Sequence, residues 1–318
     1  MSEHTSRKFG VIKIGITQGE LSGIAPEITA KALKVFNKDR TIAIYVVASK
    51  DGKKKILSCV KTPLGKHITF IEPDKKHVPG NIGNSDALLC VYHAAKMALN
   101  KEIDAVVTAP VDKSKIAEKY SGFSGHTRFL EKILNVGPTL MFMKTPSLKI
   151  GIMTEHIPLK DVAKSITKQK IIQAVMLLNK HLSKFKTKPC IGVLSLNPHA
   201  GDSGLVGREE IKIISPAIKT LRKKGINVIG PLPADSAFSP SIKNKCDALL
   251  SMYHDQGMIP AKIKGMDSLV NITLGLPIIR TSPGHGVAYD IVGKNTASAD
   301  SMIKAVNQAI EMVLAQRL

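Results

Sequence analysis

Tryptophan is absent and aromatic residues make up only 4% of the 318 residues. Little material is therefore available for the base-stacking platforms of single-strand nucleic-acid binders. Acidic side chains are scarce too: 25 Asp and Glu stand against 46 Lys and Arg, a formal net charge of +21. The basic residues are spread along the chain, in short runs such as Lys53-Lys54-Lys55 and Arg222-Lys223-Lys224, and no nucleic-acid-binding motif accompanies them. This reads as a lysine-rich solvated surface that steers anionic substrates, not as a nucleic-acid partner. No apolar run reaches the ~18 residues of a membrane span, and the stretch 1–8 leads into no apolar segment except the first strand, so no signal peptide is expected. The four cysteines, Cys59, Cys90, Cys190 and Cys246, form no CxxC pair. Several sit in apolar segments, as reduced thiols of a cytoplasmic protein do. There is no Gly/Ser/Pro-rich linker, low-complexity tract or internal repeat.

What the chain does have is alternation. Val- and Ile-rich runs at 11–17, 42–48, 68–71, 105–108, 148–154, 190–196, 228–230, 248–253 and 270–274 are mostly continuous, which predicts strands covered on both faces. Between them, segments of helical period lie at 26–36, 85–99, 168–182, 209–224 and 300–315, with Pro216 expected to break or kink the fourth. Such alternation predicts an α/β protein with a mainly parallel sheet. The motif Ser121-Gly122-Phe123-Ser124-Gly125 interrupts the pattern and marks a candidate domain boundary.

Three histidines stand just beyond three strand-like runs: His156 after Ile152-Met153-Thr154-Glu155, His199 after Leu196-Asn197-Pro198, and His254 after Met252-Tyr253. In open α/β sheets ligands bind at the carboxyl ends of strands. Three imidazoles arriving there could share one divalent cation with coordination positions left open for substrate; one alone would more often be a hydrogen-bonded rim residue. Gly125-His126-Thr127 precedes a helix, which Thr127 could cap, or else the three form a phosphate cradle. Thr108 and Lys113 follow a strand, and Lys113 is either a surface lysine or a carboxylate contact and proton relay. Asp235, after Pro231-Leu232-Pro233-Ala234, is a turn cap or a free carboxylate for base work. Lys262, Asn271 and Arg280 follow His254 closely, and Arg280 suits bidentate anion contact. His285-Gly286-Val287-Ala288-Tyr289-Asp290-Ile291-Val292-Gly293-Lys294 is a polar, Gly-punctuated loop of the kind that wraps a cofactor, or a plain surface loop.

Taken in order, these segments resemble the 4-hydroxythreonine-4-phosphate dehydrogenase family of pyridoxal phosphate biosynthesis. The most specific matches are Gly125-His126-Thr127, Leu196-Asn197-Pro198-His199-Ala200-Gly201, Gly230-Pro231-Leu232-Pro233-Ala234-Asp235, Met252-Tyr253-His254-Asp255-Gln256-Gly257 and Val270-Asn271-Ile272-Thr273-Leu274-Gly275-Leu276-Pro277. The resemblance implies an isocitrate/isopropylmalate-dehydrogenase-like fold, two α/β domains with a cleft between them: residues 1–120 plus 280–318, and residues 121–279. It implies a homodimer with shared active sites, NAD or NADP, and one divalent ion (zinc, magnesium or cobalt) per site. Matched by position, His156, His199 and His254 would be metal ligands. His126, Thr127, Lys262, Asn271 and Arg280 would bind substrate, and His285, Gly286 and Asp290 would lie on the cofactor. Asp235 and Lys113 are the candidates for the catalytic base. The first loop departs from the family pattern: Gln18, Leu21, Ser22 and Ala25 replace Pro, Pro, Ala and Gly, while Gly19, Glu20, Gly23 and Pro26 are kept.

The implied reaction is metal-dependent oxidation of 4-phosphohydroxy-L-threonine by NAD(P), followed by decarboxylation to 3-amino-2-oxopropyl phosphate. Three alternatives predict differently. A paralogous dehydrogenase would keep the histidines and prefer a related acid such as 4-phosphothreonate. A non-redox acyl- or phosphotransferase would need neither the histidines nor the cofactor loop. A basic binding protein would retain nucleic acid in a salt-sensitive way, unaffected by His254→Ala.

Overall fold

The computed structural model describes residues 10–76 and 78–318; the stretch 1–8 weighed above as a signal peptide lies outside them. The chain divides into two compact units. The first takes the chain up to Gly137 together with Asp267–Asn271 and Leu276–Leu318. The second comprises Pro138–Met266 and Ile272–Gly275.

In the first unit lie β1 (Ile12–Thr17), β2 (Ile42–Val47), β3 (Ile68–Ile71) and β4 (Ala105–Thr108). The second holds β5 (Leu140–Lys144), β6 (Lys149–Ile152), β7 (Ile191–Leu194), β8 (Val228–Leu232) and β9 (Ala248–Ser251). Strand β10 (Val270–Leu274) carries residues of both units, and β11 (Ile279–Pro283) returns to the first. Strands of the first unit are ordered β3-β2-β1-β4-β11, and every pairing among them is parallel. The second unit runs β6-β9-β7-β8 in parallel, with β5 antiparallel to β6.

The continuous apolar runs make these strands because both faces are covered. Ile14, Ile16, Ile44, Val46 and Val107 are fully buried. Against the first unit's strands the helix Asp300–Arg317 lays Met302, Ala305, Val306, Ala309 and Val313, an i, i+3/i+4 stripe. Pro216 does not end its helical run but distorts it: a single π-helical turn, Glu210–Ile214, in which Ser215 N donates to Glu210 O, precedes the α-helix Ser215–Lys223, and the wider turn stands where Pro216 has no N–H to give. Strands β5 and β11 are additions to the sequence-based expectation. Among the described residues no helix is long and apolar enough to cross a membrane.

One core histidine makes stability depend on pH. His181, on the helix Lys168–Leu182, packs edge-on between Phe142 and Phe185, at centroid distances of 5.2 and 5.4 Å. Burial, with Lys184, Lys144 and Lys149 adding to it, holds its pKa down to about 4. The unfolded chain binds this proton near ~6.5 and the folded one does not, so unfolding takes up a proton below that pH. The stabilisation is complete above ~6.5 and is lost as pH falls toward 4, by roughly 2–4 kcal/mol. Urea titrations at pH 7 and pH 4.5 should therefore show a smaller stability loss for His181→Leu than for the parent; equal losses would refute this.

Candidate active site

In the first unit, Arg280 lies on β11 beside β4, with Arg280 opposite Val106 in the register. It is 2% exposed and donates to Thr108 Oγ1 from Nε (3.1 Å) and Nη2 (2.6 Å). The strand thus fixes a guanidinium that a surface arginine would leave mobile. His126 opens the helix His126–Leu134, with Gly125 at the cap position at φ +141 and no side-chain cap. Thr127 is therefore inside the first turn, not the cap, because the glycine makes the sharp entry that a threonine could not. Burial, then the charges of Arg280 and Lys113, push the His126 pKa well below its ordinary value, so the imidazole is neutral. Its Nε2 is buried with no hydrogen-bond partner, and so is Asn271 Oδ1. Orphaned buried polar atoms are rare in folded proteins, and each is a place where a ligand or a water can complete the bonding. Lys113, exposed at the start of Lys113–Lys119, passes close to Gly125: a Cβ there would lie 3.8 Å from its ammonium. Two cations, a neutral imidazole and a helix N-terminus are together groups that can hold an anion.

The loop 285–291 is tied down within the same unit. Ile24 N donates to Val287 O (3.0 Å), and a Cβ on Gly23 would meet that carbonyl at 2.8 Å, so only glycine lets the two loops touch. The Tyr289 hydroxyl donates to Asp112, and Lys115 lies 5.0 Å from the Tyr289 ring centroid while donating to Ser22 Oγ (2.6 Å). That hydroxyl, followed by Ser114, holds the Asp112 carboxyl down to about 2. His285 Nδ1 donates to Gly286 O (3.1 Å), leaving a buried Nε2 unpartnered, while Gly286 and Asp290 are exposed. The departures in the first loop have local reasons. Gln18 is buried and accepts from Ser49 N and Oγ, filling space that Gly52 leaves open. Gly19, at φ +70, packs against Ala25 and Ala109, so the turn survives the changes.

The second unit carries the three histidines, and they leave neighbouring parallel strands: His156 after β6, His254 after β9, His199 after β7. The rings of His156 and His254 lie 5.2 Å apart with a 40° tilt. His254 Nδ1 donates to Asp255 Oδ1 (2.7 Å), which leaves Nε2 as the ring's remaining lone pair, as in carboxylate–histidine–metal arrangements. His199 sits differently. It begins five consecutive left-handed residues, from His199 at φ +51 to Ser203 at φ +56. The turn is fixed from behind by Glu210, which accepts from Leu196 N and Asn197 N (2.8 Å each) and from Asn197 Nδ2 (2.9 Å). Among the described residues no three His, Cys, Asp or Glu side chains gather as a metal site. One chain thus brings together His156 and His254 but not all three. Imidazole donors fit zinc or cobalt better than magnesium.

The remaining candidates are less defined. Asp235 is exposed and accepts from Ser236 N (3.0 Å), which is the turn-cap role. Lys262 is exposed on the helix His254–Gly265. Glu210 is absent from the sequence reading, and Gln256 and Tyr289 stand there only inside longer motifs; each has a partner distant in the chain.

The family model described as pyridoxal phosphate biosynthetic protein PdxA matches residues 26–309. The chain belongs to the PdxA family. It is 41% identical over 318 residues to the 4-hydroxythreonine-4-phosphate dehydrogenase of Sulfurihydrogenibium sp. (strain YO3AOP1), covering 94% of this chain and 98% of that one. The crystal structure of the Klebsiella pneumoniae enzyme of that name superposes with a TM-score of 0.78 at 29% identity, over 95% of this chain and 99% of the other. Isocitrate dehydrogenase from Methylococcus capsulatus shares the fold alone, with a TM-score of 0.52 at 13% identity over 96% of this chain and 88% of that one. This PdxA-family chain is thus an oxidoreductase with the isocitrate-dehydrogenase-like α/β fold expected from its motifs.

Proposed function

We propose that this chain oxidises 4-phosphohydroxy-L-threonine at its secondary alcohol with NAD(P), and that the resulting β-keto acid loses CO2 to give 3-amino-2-oxopropyl phosphate. The observation that carries this reading is the match along nearly the whole chain to dehydrogenases named for that substrate. The anion site built from Arg280, His126 and Lys113 supports it, because the substrate carries a phosphate and a carboxylate. Arg280 holds an anionic oxygen in a fixed fork, and Thr108 keeps the fork from rotating. Neutral His126 offers its buried Nε2 and Asn271 its buried Oδ1; Thr127 and Lys262 would supply further polar contacts to the substrate. Asp235, or Lys113 in its neutral amine form, takes the alcohol proton. His156, His199 and His254 would hold a divalent ion, which would supply Lewis-acid polarisation of the alcohol, and the loop of His285, Gly286 and Asp290 would hold the nicotinamide cofactor, which would supply the hydride acceptor.

The working form in this reading is a homodimer. Beyond the three histidines the second unit exposes Leu159 (72%), Leu205 (84%) and, one turn apart on the helix His254–Gly265, Ile259 and Ile263 (77%). These large apolar side chains stand on the segments that follow the histidines, and their exposure supports a surface that a second copy would cover. His199 of the partner subunit would then complete the set begun by His156 and His254.

The test is NADH or NADPH production, followed by absorbance, from 4-phosphohydroxythreonine with and without a chelator. Turnover should be chelator-sensitive, exceed that on 4-phosphothreonate, and be lost in His199→Ala. Absence of NAD(P)H from both substrates with metal present would sink the dehydrogenase reading; preference for phosphothreonate would move the chain to the paralogous activity.

A further inference from the structure

We propose that Gln256 is a positioning residue for the metal-binding histidines: its side-chain amide sets the strand ends that carry them in register. The proposal rests on the reading that His156, His199 and His254 hold a divalent ion. Gln256 lies in the first turn of the helix His254–Gly265, buried, two residues past His254. Its Oε1 accepts from Met252 N (2.7 Å), at the end of β9. Its Nε2 donates to Ser195 O (2.7 Å), at the end of β7 and four residues before His199. The same Met252 accepts at its carbonyl from Thr154 Oγ1 (2.8 Å), beyond β6 and two residues before His156. One amide and one hydroxyl therefore link all three histidine-bearing segments through the two polar groups of a single peptide residue, Met252.

The linkage continues toward His199. Ser195 Oγ donates to Asn197 O (2.9 Å), and Glu210, itself 2% exposed, accepts from the two amides that follow Ser195. The helix bearing Gln256 is pressed against the strands by the neighbouring Gly257, where a Cβ would meet Ser251 Oγ at 2.7 Å. Gln256 accordingly has little freedom, and its amide is oriented by its partners: oxygen toward an N–H, nitrogen toward a carbonyl. Helices commonly use a Gln or Glu in the first turn to satisfy a backbone N–H just upstream. Such capping needs only the oxygen. The bond to Ser195 requires the nitrogen as well, and it reaches a different strand. A glutamate would keep the capping half and lose the cross-strand half; a leucine would lose both. Metal sites tolerate little displacement of their ligands, and residues that orient ligands typically shift metal affinity by about 10–100-fold when changed.

The experiment titrates the purified protein with Co²⁺, reading affinity and the visible absorption that reports ligand geometry, with circular dichroism to confirm folding. Gln256→Glu and Gln256→Leu should each weaken Co²⁺ by about 10–100-fold and alter the band shape. Thr154→Val, a near-isosteric change that removes only the Thr154–Met252 bond, should weaken it less and serves if the Gln256 variants do not fold. Parental affinity and spectrum in folded Gln256→Glu would show that the residue only caps its helix and would overturn the proposal. His254→Ala separates the two ideas: if it binds Co²⁺ as the parent does, the metal reading fails and the proposal with it. If it loses tight binding while the Gln256 and Thr154 variants keep it, only the proposal fails.

Discussion

Arg280→Met should lower kcat/KM for the phosphorylated substrate by about 10²–10³-fold, mostly through KM, while the protein stays folded. The reasoning starts from where the charge is held. Arg280 is 2% exposed on β11, and its Nε and Nη2 both donate to one hydroxyl, Thr108 Oγ1. That hydroxyl orients the guanidinium without carrying a charge of its own. A guanidinium kept away from water attracts an anion far more strongly than a solvated lysine does, because screening is weak there. Its field reaches His126, whose pKa is pushed down by burial first and by Arg280 next. Arg280→Lys should recover only part of the loss, since an ammonium cannot reproduce the planar fork. Removing Arg280 also relieves one of the causes that keep His126 neutral, so the His126 pKa should rise and the low-pH limb of kcat/KM should move upward. Steady-state kinetics from pH 5 to 8 on both variants tests this. A change below tenfold in Arg280→Met would remove Arg280 from the substrate site.

The same residue shows what a sequence conceals. Strands β6, β7 and β9 are legible because each is a short, unbroken apolar run closed by turn-forming residues, and the three histidines stand where those runs end. β11 was missed because Arg280 interrupts its apolar pattern: the charge that makes the strand useful also disguises it. β5, Leu-Met-Phe-Met-Lys, follows Val136-Gly137-Pro138-Thr139, punctuation that masks a strand paired antiparallel with β6. The left-handed turn from His199 to Ser203 is not legible either, since Ala200 and Ser203 have no intrinsic preference for positive φ. It is imposed from outside. Glu210 holds the backbone ahead of the turn, and Gly207 lets Asn197 approach so closely that a Cβ there would collide with Asn197 Nδ2. Residues that act by holding others, such as Glu210 and Gln256, carry no local signature of that role, because the bonds that tie strand ends together reach partners 13 to 61 positions away, while the local bond of Gln256 to Met252 N looks like ordinary capping.

His199→Ala and His254→Ala, each inactive alone, should restore activity when mixed. One chain brings His156 and His254 to a ring separation of 5.2 Å, yet no third donor joins them among its described residues. Two imidazoles are a weak site for zinc or cobalt, which take at least three protein ligands in catalytic centres. A second copy seated on the exposed Leu159, Leu205 and Ile263 would bring its own His199 turn to the pair. Each site would then draw His254 from one subunit and His199 from the other. In a mixed dimer one site receives both alanines and the other receives neither. Random reassortment makes half of all dimers mixed, so recovery should reach about a quarter of the parental rate. Each variant alone should remain at least about 10³-fold below parent, since the metal-dependent polarisation is gone. The measurement is NAD(P)H formation after the two differently tagged variants are co-expressed and the doubly tagged species is purified. Purified mixed dimers should show about half the parental rate per dimer, because one of their two sites is whole. Doubly tagged dimers without activity would place all three ligands of each site in one subunit, and His199 would then have to reach the His156–His254 pair by movement within its own chain.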